Sequence, residues 1–222
     1  MKVTVIGCSP AWANPGGVQS GYLVDNRLLI DCGPGVLAQL RLREPWPSID
    51  AIVLTHLHLD HTADITAWLW GALMGPGRGK PQPELWLPPG GLAELEERVP
   101  EAFATHEYDG PFEAAGFRIT PVAVNHANGH GLRITDGART YAHSGDSGPT
   151  DALVELARDA DLFLCEATQA EDDPAPMHLC ASDALAVAER AGARRLVLIH
   201  RPVELPQPDG CEVAYDGLEL EV

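Results

Sequence analysis

With 222 residues, 45% apolar and 21% charged, the chain has the make-up of an ordinary globular protein, which argues against a disordered chain and fits one domain over residues 1–222. Its 32 acidic against 15 basic residues leave a formal charge of −17, which argues against nucleic-acid partners gripped through many phosphate contacts, since those take their affinity from Lys and Arg. No run approaches the ~18 apolar residues of a membrane span, residues 1–7 lack the long apolar stretch of a secretory signal, and five scattered cysteines (Cys8, Cys32, Cys165, Cys180, Cys211) show no CxxC spacing, so a cytoplasmic protein with buried free thiols is expected.

Taken in chain order, β-rich apolar runs predict strands at 2–6, 21–24, 28–31, 51–54, 84–87, 117–124, 131–135, 140–144, 161–165, 195–199 and 218–222. Helical periodicity predicts helices at 35–42, in the stretch after His61, and at 91–98, 151–158 and 182–191, the last ending near Gly192. Residues 74–83 hold three Gly and three Pro and read as a surface loop. Hairpins followed by alternating strands and helices give an α/β sandwich, a mixed sheet system covered by helices.

The chemistry concentrates where strands end. Directly after the strand at 51–54 comes Thr55-His56-Leu57-His58-Leu59-Asp60-His61, placing three imidazoles and a carboxylate where a loop can fold them around cations. One short segment cannot complete a coordination shell, and three further strand ends supply polar residues: His126 after 117–124, Asp146 in Ser144-Gly145-Asp146-Ser147-Gly148 after 140–143, and His200 after 196–199.

In their order and spacing, HxHxDH at 56–61, His126, Asp146 and His200 resemble the ligand motifs of the metallo-β-lactamase superfamily. The resemblance implies a four-layer αββα sandwich and two divalent metal ions, with His56, His58 and His126 on one, Asp60, His61 and His200 on the other, and Asp146 bridging. Imidazoles and carboxylates suit Zn²⁺, with Mn²⁺ or Fe left open. Classical β-lactam hydrolases typically carry Cys at the bridging position, so Asp146 is similar to the phosphodiesterase side of the superfamily, where two cations share a hydroxide of lowered pKa as the nucleophile.

Leu164-Cys165-Glu166-Ala167-Thr168 and Met177-His178-Leu179-Cys180-Ala181-Ser182 resemble the HEAT and HMTA segments of ribonuclease Z-like enzymes. The likeness implies that Glu166 holds His178, which protonates the leaving oxygen; with Asp60 these are the expected catalytic residues. The segment Asp31-Cys32-Gly33-Pro34-Gly35-Val36-Leu37 departs from that family's DCGEGTQ at Pro34, Val36 and Leu37, and the loop 9–17 lacks the Lys and Arg of its PxKxRN segment. Only residues 62–125 separate His61 from His126, little room for a tRNA-gripping arm. Together with Gln19-Ser20-Gly21-Tyr22-Leu23-Val24 and the run 141–168, which are similar to cyclic nucleotide phosphodiesterases, these departures favour a small phosphodiester substrate, with no membrane partner and a homodimer left open. A tRNA 3′-processing endonuclease and a non-catalytic metal-binding sensor are the competing readings. His130 is expected to face solvent, His106 to lie at the surface, His143 to point away from Asp146 on its strand, and Trp68 and Trp70 to serve helix packing.

Overall fold

A computed structural model describes residues 1–171, 173 and 177–222. Its strands are β1 (Lys2–Gly7), β2 (Gly21–Val24), β3 (Leu28–Ile30), β4 (Ala51–Val53), β5 (Glu84–Leu87), β6 (Ala104–Glu107), β7 (Phe112–Ala114), β8 (Phe117–Ala123), β9 (His130–Thr135), β10 (Thr140–His143), β11 (Leu162–Glu166), β12 (Leu196–Ile199), β13 (Glu212–Val213) and β14 (Glu219–Glu221). The α-helices are α1 (Val36–Arg43), α2 (Leu59–Met74), α3 (Ala152–Ala157) and α4 (Ala181–Ala191).

Two seven-stranded sheets form, in the orders β14-β1-β2-β3-β4-β5-β6 and β13-β12-β11-β10-β9-β8-β7. Each is antiparallel at one end and parallel at the other: the first turns parallel from β3 to β6, the second from β10 to β13. Parallel strands buried on both faces need apolar side chains at nearly every position, and β4 and β11 comply with AIV and LFLCE, all buried.

Three apolar layers separate the four structural ones. Between the sheets, Val5, Tyr22, Ile30 and Val53 meet Ile134, Tyr141, Leu164 and Ile199. Outside the first sheet, α1 and α2 bury Val36, Leu40, Ile65, Trp68 and Leu69; outside the second, α3 and α4 bury Leu153, Leu156, Ala184 and Ala188. This is the four-layer αββα sandwich. Trp68 is fully buried, edge-on to Trp46 at 5.6 Å, and both indoles donate to Gln82 Oε1. Trp68→Ala would therefore leave a cavity costing about 3–5 kcal/mol.

The predicted helices start and stop within a few residues of those observed, with one exception. Residues 91–98 do not form a helix but only a 3-10 turn at Gly91–Ala93, followed by a second at Val99–Glu101. Pro100 sits inside the second turn, where its ring and missing N–H bar one α-helix from running through both turns. Three short strands, β6, β7 and β13, have no counterpart among the predicted ones; β6 and β13 carry exposed polar residues, and β7 is only three residues long.

A close backbone approach locks the start of α2 in place. A Cβ on Gly33 would lie 1.9 Å from the Asp60 carbonyl oxygen, so only glycine lets the β3–α1 loop press on that helix end. There the backbone N–H of Cys32 donates to the His61 carbonyl at 2.7 Å and that of Ser20 to the Asp60 carbonyl at 3.2 Å.

Candidate metal centre

Every candidate ligand lies beyond the carboxyl end of a strand. His56 follows β4, His126 follows β8, Asp146 follows β10 and His200 follows β12. The HxHxDH run is not a loop throughout: His58 is the extended residue just before α2, while Asp60 and His61 occupy its first turn, so Asp60 also meets the positive end of the helix dipole. Left-handed backbone turns two of the groups inward: Gly145 at φ 59° before Asp146, and His200 itself at φ 54°.

The side chains converge as two groups that share Asp146. His56, His58, His126 and Asp146 form one and Asp60, His61, Asp146 and His200 the other, and within each group one ligand atom per residue lies within 4.8 Å of the rest. In the first, His56 Nε2 and His126 Nε2 each stand 3.1 Å from His58 Nδ1. Three imidazole nitrogens aimed at one point cannot all carry protons inward, so their lone pairs call for a cation. In the second, Asp60 Oδ2 is 3.3 Å from His61 Nε2 and 3.2 Å from His200 Nε2, and Asp146 Oδ1 is 3.4 Å from His61 Nε2. The cluster is able to bind metal ions, and its nitrogen and oxygen donors suit Zn²⁺, Mn²⁺ or Fe.

Electrostatics agree with that donor set. Burial, aided by the nearby His61, pushes His56 down to about 2, and burial pushes His126 down to about 4, so both imidazoles are neutral at pH 7, the ligating form. Burial works to raise the Asp60 and Asp146 carboxyls, but the surrounding His61 and His200 outweigh it and hold both below the usual carboxylate range. His61 moves the other way: burial would lower it, yet Asp146 and Asp31 raise it, a measure of the negative potential that awaits a cation here.

Behind the ligands stands a layer of partners that sequence reasoning did not identify. Fully buried Asp31 accepts from His61 Nδ1 at 2.7 Å and from the backbone N–H of Thr55 at 2.8 Å. Thr55 Oγ1 lies 2.9 Å from Asp31 Oδ2 and 3.1 Å from His56 Nδ1. Thr168 Oγ1 lies 2.8 Å from His200 Nδ1. Such contacts orient ligand rings and fix which nitrogen is free. The signal for Asp31 is an acidic residue at the end of an apolar strand, the same position that marks the ligands.

Glu166, the last residue of β11 and fully buried, has its Oε1 2.8 Å from His178 Nδ1, and also accepts from the backbone N–H groups of Ser147 at 2.8 Å and Thr168 at 3.2 Å. His178 sits with its ring 5.3 Å from that of His126 and 6.1 Å from that of His200. Burial would lower its pKa, but the Glu166 carboxylate wins and raises it. The structure thus brings all nine predicted site residues into one contiguous cluster.

The remaining histidines and tryptophans fall elsewhere. His143 joins neither group: it is buried between the sheets, 4.6 Å from the Tyr22 ring and bonded to the Tyr141 hydroxyl at 2.9 Å, and burial holds it at about 4. His106, expected at the surface, is instead half-buried and stacked on Trp86 at 4.4 Å, because β6 packs it against the indole. His130, expected to face solvent, is half-buried edge-on to Tyr108. Trp68 packs in the core, whereas Trp70 is partly exposed beneath Arg98. All five cysteines are free thiols, four of them buried. Among the described residues, no helix is long and apolar enough to cross a membrane.

Residues 26–201 match the model of the beta-lactamase superfamily domain. The sequence is 35% identical over 214 residues to YhfI of Bacillus subtilis, described as a probable metallo-hydrolase, covering 91% of this chain and 87% of that one. It is 27% identical over 302 aligned positions to ribonuclease Z of Myxococcus xanthus, covering 100% and 98%. The crystal structure of YhfI superposes with a TM-score of 0.87 over 99% of each chain, at 27% sequence identity.

Proposed function

The chain belongs to the metallo-β-lactamase superfamily, and on that premise we propose that it is a binuclear metallo-hydrolase acting as a phosphodiesterase on small phosphodiesters such as cyclic nucleotides. His56, His58 and His126 would hold one cation, Asp60, His61 and His200 the other, and Asp146 would serve both. The bound pair supplies an activated water and neutralises charge building on the phosphoryl oxygens.

The observation that carries this reading is the Glu166–His178 pair, at 2.8 Å, beside the ligand cluster. A phosphodiester breaks only as fast as its leaving oxygen can depart, and an alkoxide departs poorly without a proton. Glu166 accepts from Nδ1–H of His178, which fixes the ring and leaves Nε2 as the nitrogen that carries a proton to that oxygen. The Glu166 carboxylate, outweighing burial, raises the pKa of His178, the direction an acid needs. Afterwards the imidazole recovers a proton from solvent, while two backbone N–H groups hold the Glu166 carboxyl in place.

Substrate size follows from charge and topology. Residues 62–125 are taken up by the rest of α2, by β5 to β8 and by the turns between them. Arg201, next to the ligand His200, commits its guanidinium to the carbonyls of Ala167 and Pro206. With a formal charge of −17, little is left to track a polynucleotide backbone.

The test is hydrolysis of a bis-aryl phosphodiester and of a 3′,5′-cyclic nucleotide by protein loaded with Zn²⁺, Mn²⁺ or Fe²⁺. Turnover of both is expected, and no turnover with any of the three metals removes the proposal. His178→Ala should slow the cyclic nucleotide about 10²–10⁴-fold while sparing the activated aryl ester, which needs no acid; equal slowing of both would take His178 out of that role.

Full-length similarity to a ribonuclease Z favours tRNA 3′ processing as the second reading. That alignment needs 302 positions for a chain of 222 residues, so the relative carries insertions that this chain lacks. A gel shift with a tRNA precursor at low salt decides: binding with a steep salt slope supports this reading, and its absence excludes it.

A further inference from the structure

The segment that carries Glu166 is cross-braced to the segment that carries His200. Ala167 N–H donates to the Ile199 carbonyl at 3.0 Å, Arg201 Nη1 donates to the Ala167 carbonyl at 2.9 Å, and between them Thr168 Oγ1 donates to the His200 carbonyl at 2.8 Å while lying 2.8 Å from His200 Nδ1. His200 needs such support, because its φ of 54° lies in the left-handed region that a residue with a Cβ rarely adopts.

A threonine hydroxyl has one proton and two lone pairs. The His200 carbonyl can only accept, so at 2.8 Å the proton of Thr168 must point at it; otherwise two oxygen lone pairs would face each other. The Thr168 oxygen is then left as an acceptor, and the group it meets at His200 Nδ1 must be N–H. Among the described residues no competing acceptor is close enough: Asp146 Oδ1 stands 3.6 Å from Nδ1, beyond hydrogen-bonding range. Nε2, beside Asp60 Oδ2 at 3.2 Å, is the nitrogen left with a lone pair for a cation. The same arrangement recurs at the other half of the centre, where Thr55 Oγ1 faces both the Asp31 carboxylate and His56 Nδ1.

We propose that Thr168 is a positioning residue that sets the tautomer of His200, presenting Nε2 to the cation shared with Asp60 and His61 and tying that ligand to the Glu166 arm. This rests on the metal-centre reading of the proposed function. Because Thr168 N–H also donates to Glu166 Oε2, one residue couples the anchor of the leaving-group acid to a metal ligand.

The experiment compares the full chain with Thr168→Val, which keeps the branched shape and loses the hydroxyl, and Thr168→Ser, which keeps the hydroxyl. Zn²⁺ uptake is read by competition against a chromogenic chelator, and the His200 tautomer by ¹⁵N–¹H correlation of the Zn²⁺-loaded wild type. Expected are two equivalents in wild type and Thr168→Ser, one of the two weakened about 10–100-fold in Thr168→Val with the other unchanged, and a proton on Nδ1 of His200. Unchanged Zn²⁺ affinity in a folded Thr168→Val overturns the proposal, even if its unfolding midpoint falls, since that is what a purely structural clamp would do. A proton on Nε2 overturns it too, and this measurement decides the matter should Thr168→Val not fold. Wild type that takes up no Zn²⁺ at all fails differently, by removing the metal-centre reading itself.

Discussion

The two halves of the candidate metal centre are built to different standards. Asp60, His61 and His200 are all buried, and both imidazoles are pinned from behind, by Asp31 and by Thr168. His56, His58 and His126 are buried, exposed and half-buried respectively, and among the described residues only His56 has a partner behind it. His58 and His126 instead lean on each other at 3.1 Å. A ligand set held by outer partners loses less ordering entropy when a cation arrives. The contrast therefore predicts a tight half and a loose half, joined by Asp146.

The largest effect should come from removing that joint. Asp146→Ala strips one ligand from both halves, and turnover should fall on the order of 10³-fold or more, with metal content dropping below two equivalents by elemental analysis. Next, Asp31→Asn should weaken Zn²⁺ binding about 10–100-fold and lower unfolding free energy by about 1–3 kcal/mol, because it unbalances a buried acceptor that serves His61 and Thr55. Chelator titration and urea melts report the two effects; unchanged metal affinity would mean that the outer layer does not create the contrast.

Timed exposure to a chelator sharpens the comparison directly. One equivalent should leave first, and His126→Ala should abolish that phase while sparing the slow one. Loss of both equivalents in a single phase would show the halves to be equal.

A smaller shift is expected for Glu166→Gln in the pH profile. The acid works while His178 is protonated, so the rate falls as pH rises through its pKa, and Glu166 raises that pKa. Removing the carboxylate charge should move the descending limb to lower pH on a substrate with a poor leaving group, and an unmoved limb would take Glu166 out of that role. Smallest of all, Trp70→Ala should leave turnover unaltered and lower the thermal midpoint only slightly as the Arg98 contact is lost, seen in thermal melts.

The candidate ligands are readable from sequence for a physical reason: an apolar strand ending in His or Asp places a costly polar side chain where a cation or solvent must satisfy it. His56, Asp146 and His200 all follow such strands. Partners are harder to see. Asp31 and Thr55 are 24 residues apart in the chain, and Thr168 and His200 are 32 apart; their pairing depends on β3 lying beside β4 and on β11 lying beside β12, which no local pattern encodes. Edge strands such as β13 escape detection because a sheet margin tolerates exposed polar residues, and the helix expected at 91–98 fails because periodicity does not weigh the backbone limits of Pro100 just beyond it.

The sheet orders carry a mechanical consequence. Residues 1–109 supply β1 to β6 and residues 110–213 supply β7 to β13, while β14 returns to the first sheet as its edge. Each ligand group draws on both portions: His56 and His58 meet His126 and Asp146, and Asp60 and His61 meet Asp146 and His200. A cation seated there would act as a rivet between plates that otherwise meet through apolar packing and a few hydrogen bonds, such as His130 N–H to the Thr55 carbonyl at 3.0 Å, and it would resist shear along their interface. Metal at about 100 times its Kd would add about 2.7 kcal/mol against separation of the plates. A chain nicked between β6 and β7, still joined by the β1–β14 pairing, should therefore unfold at a lower urea concentration in chelator than in Zn²⁺.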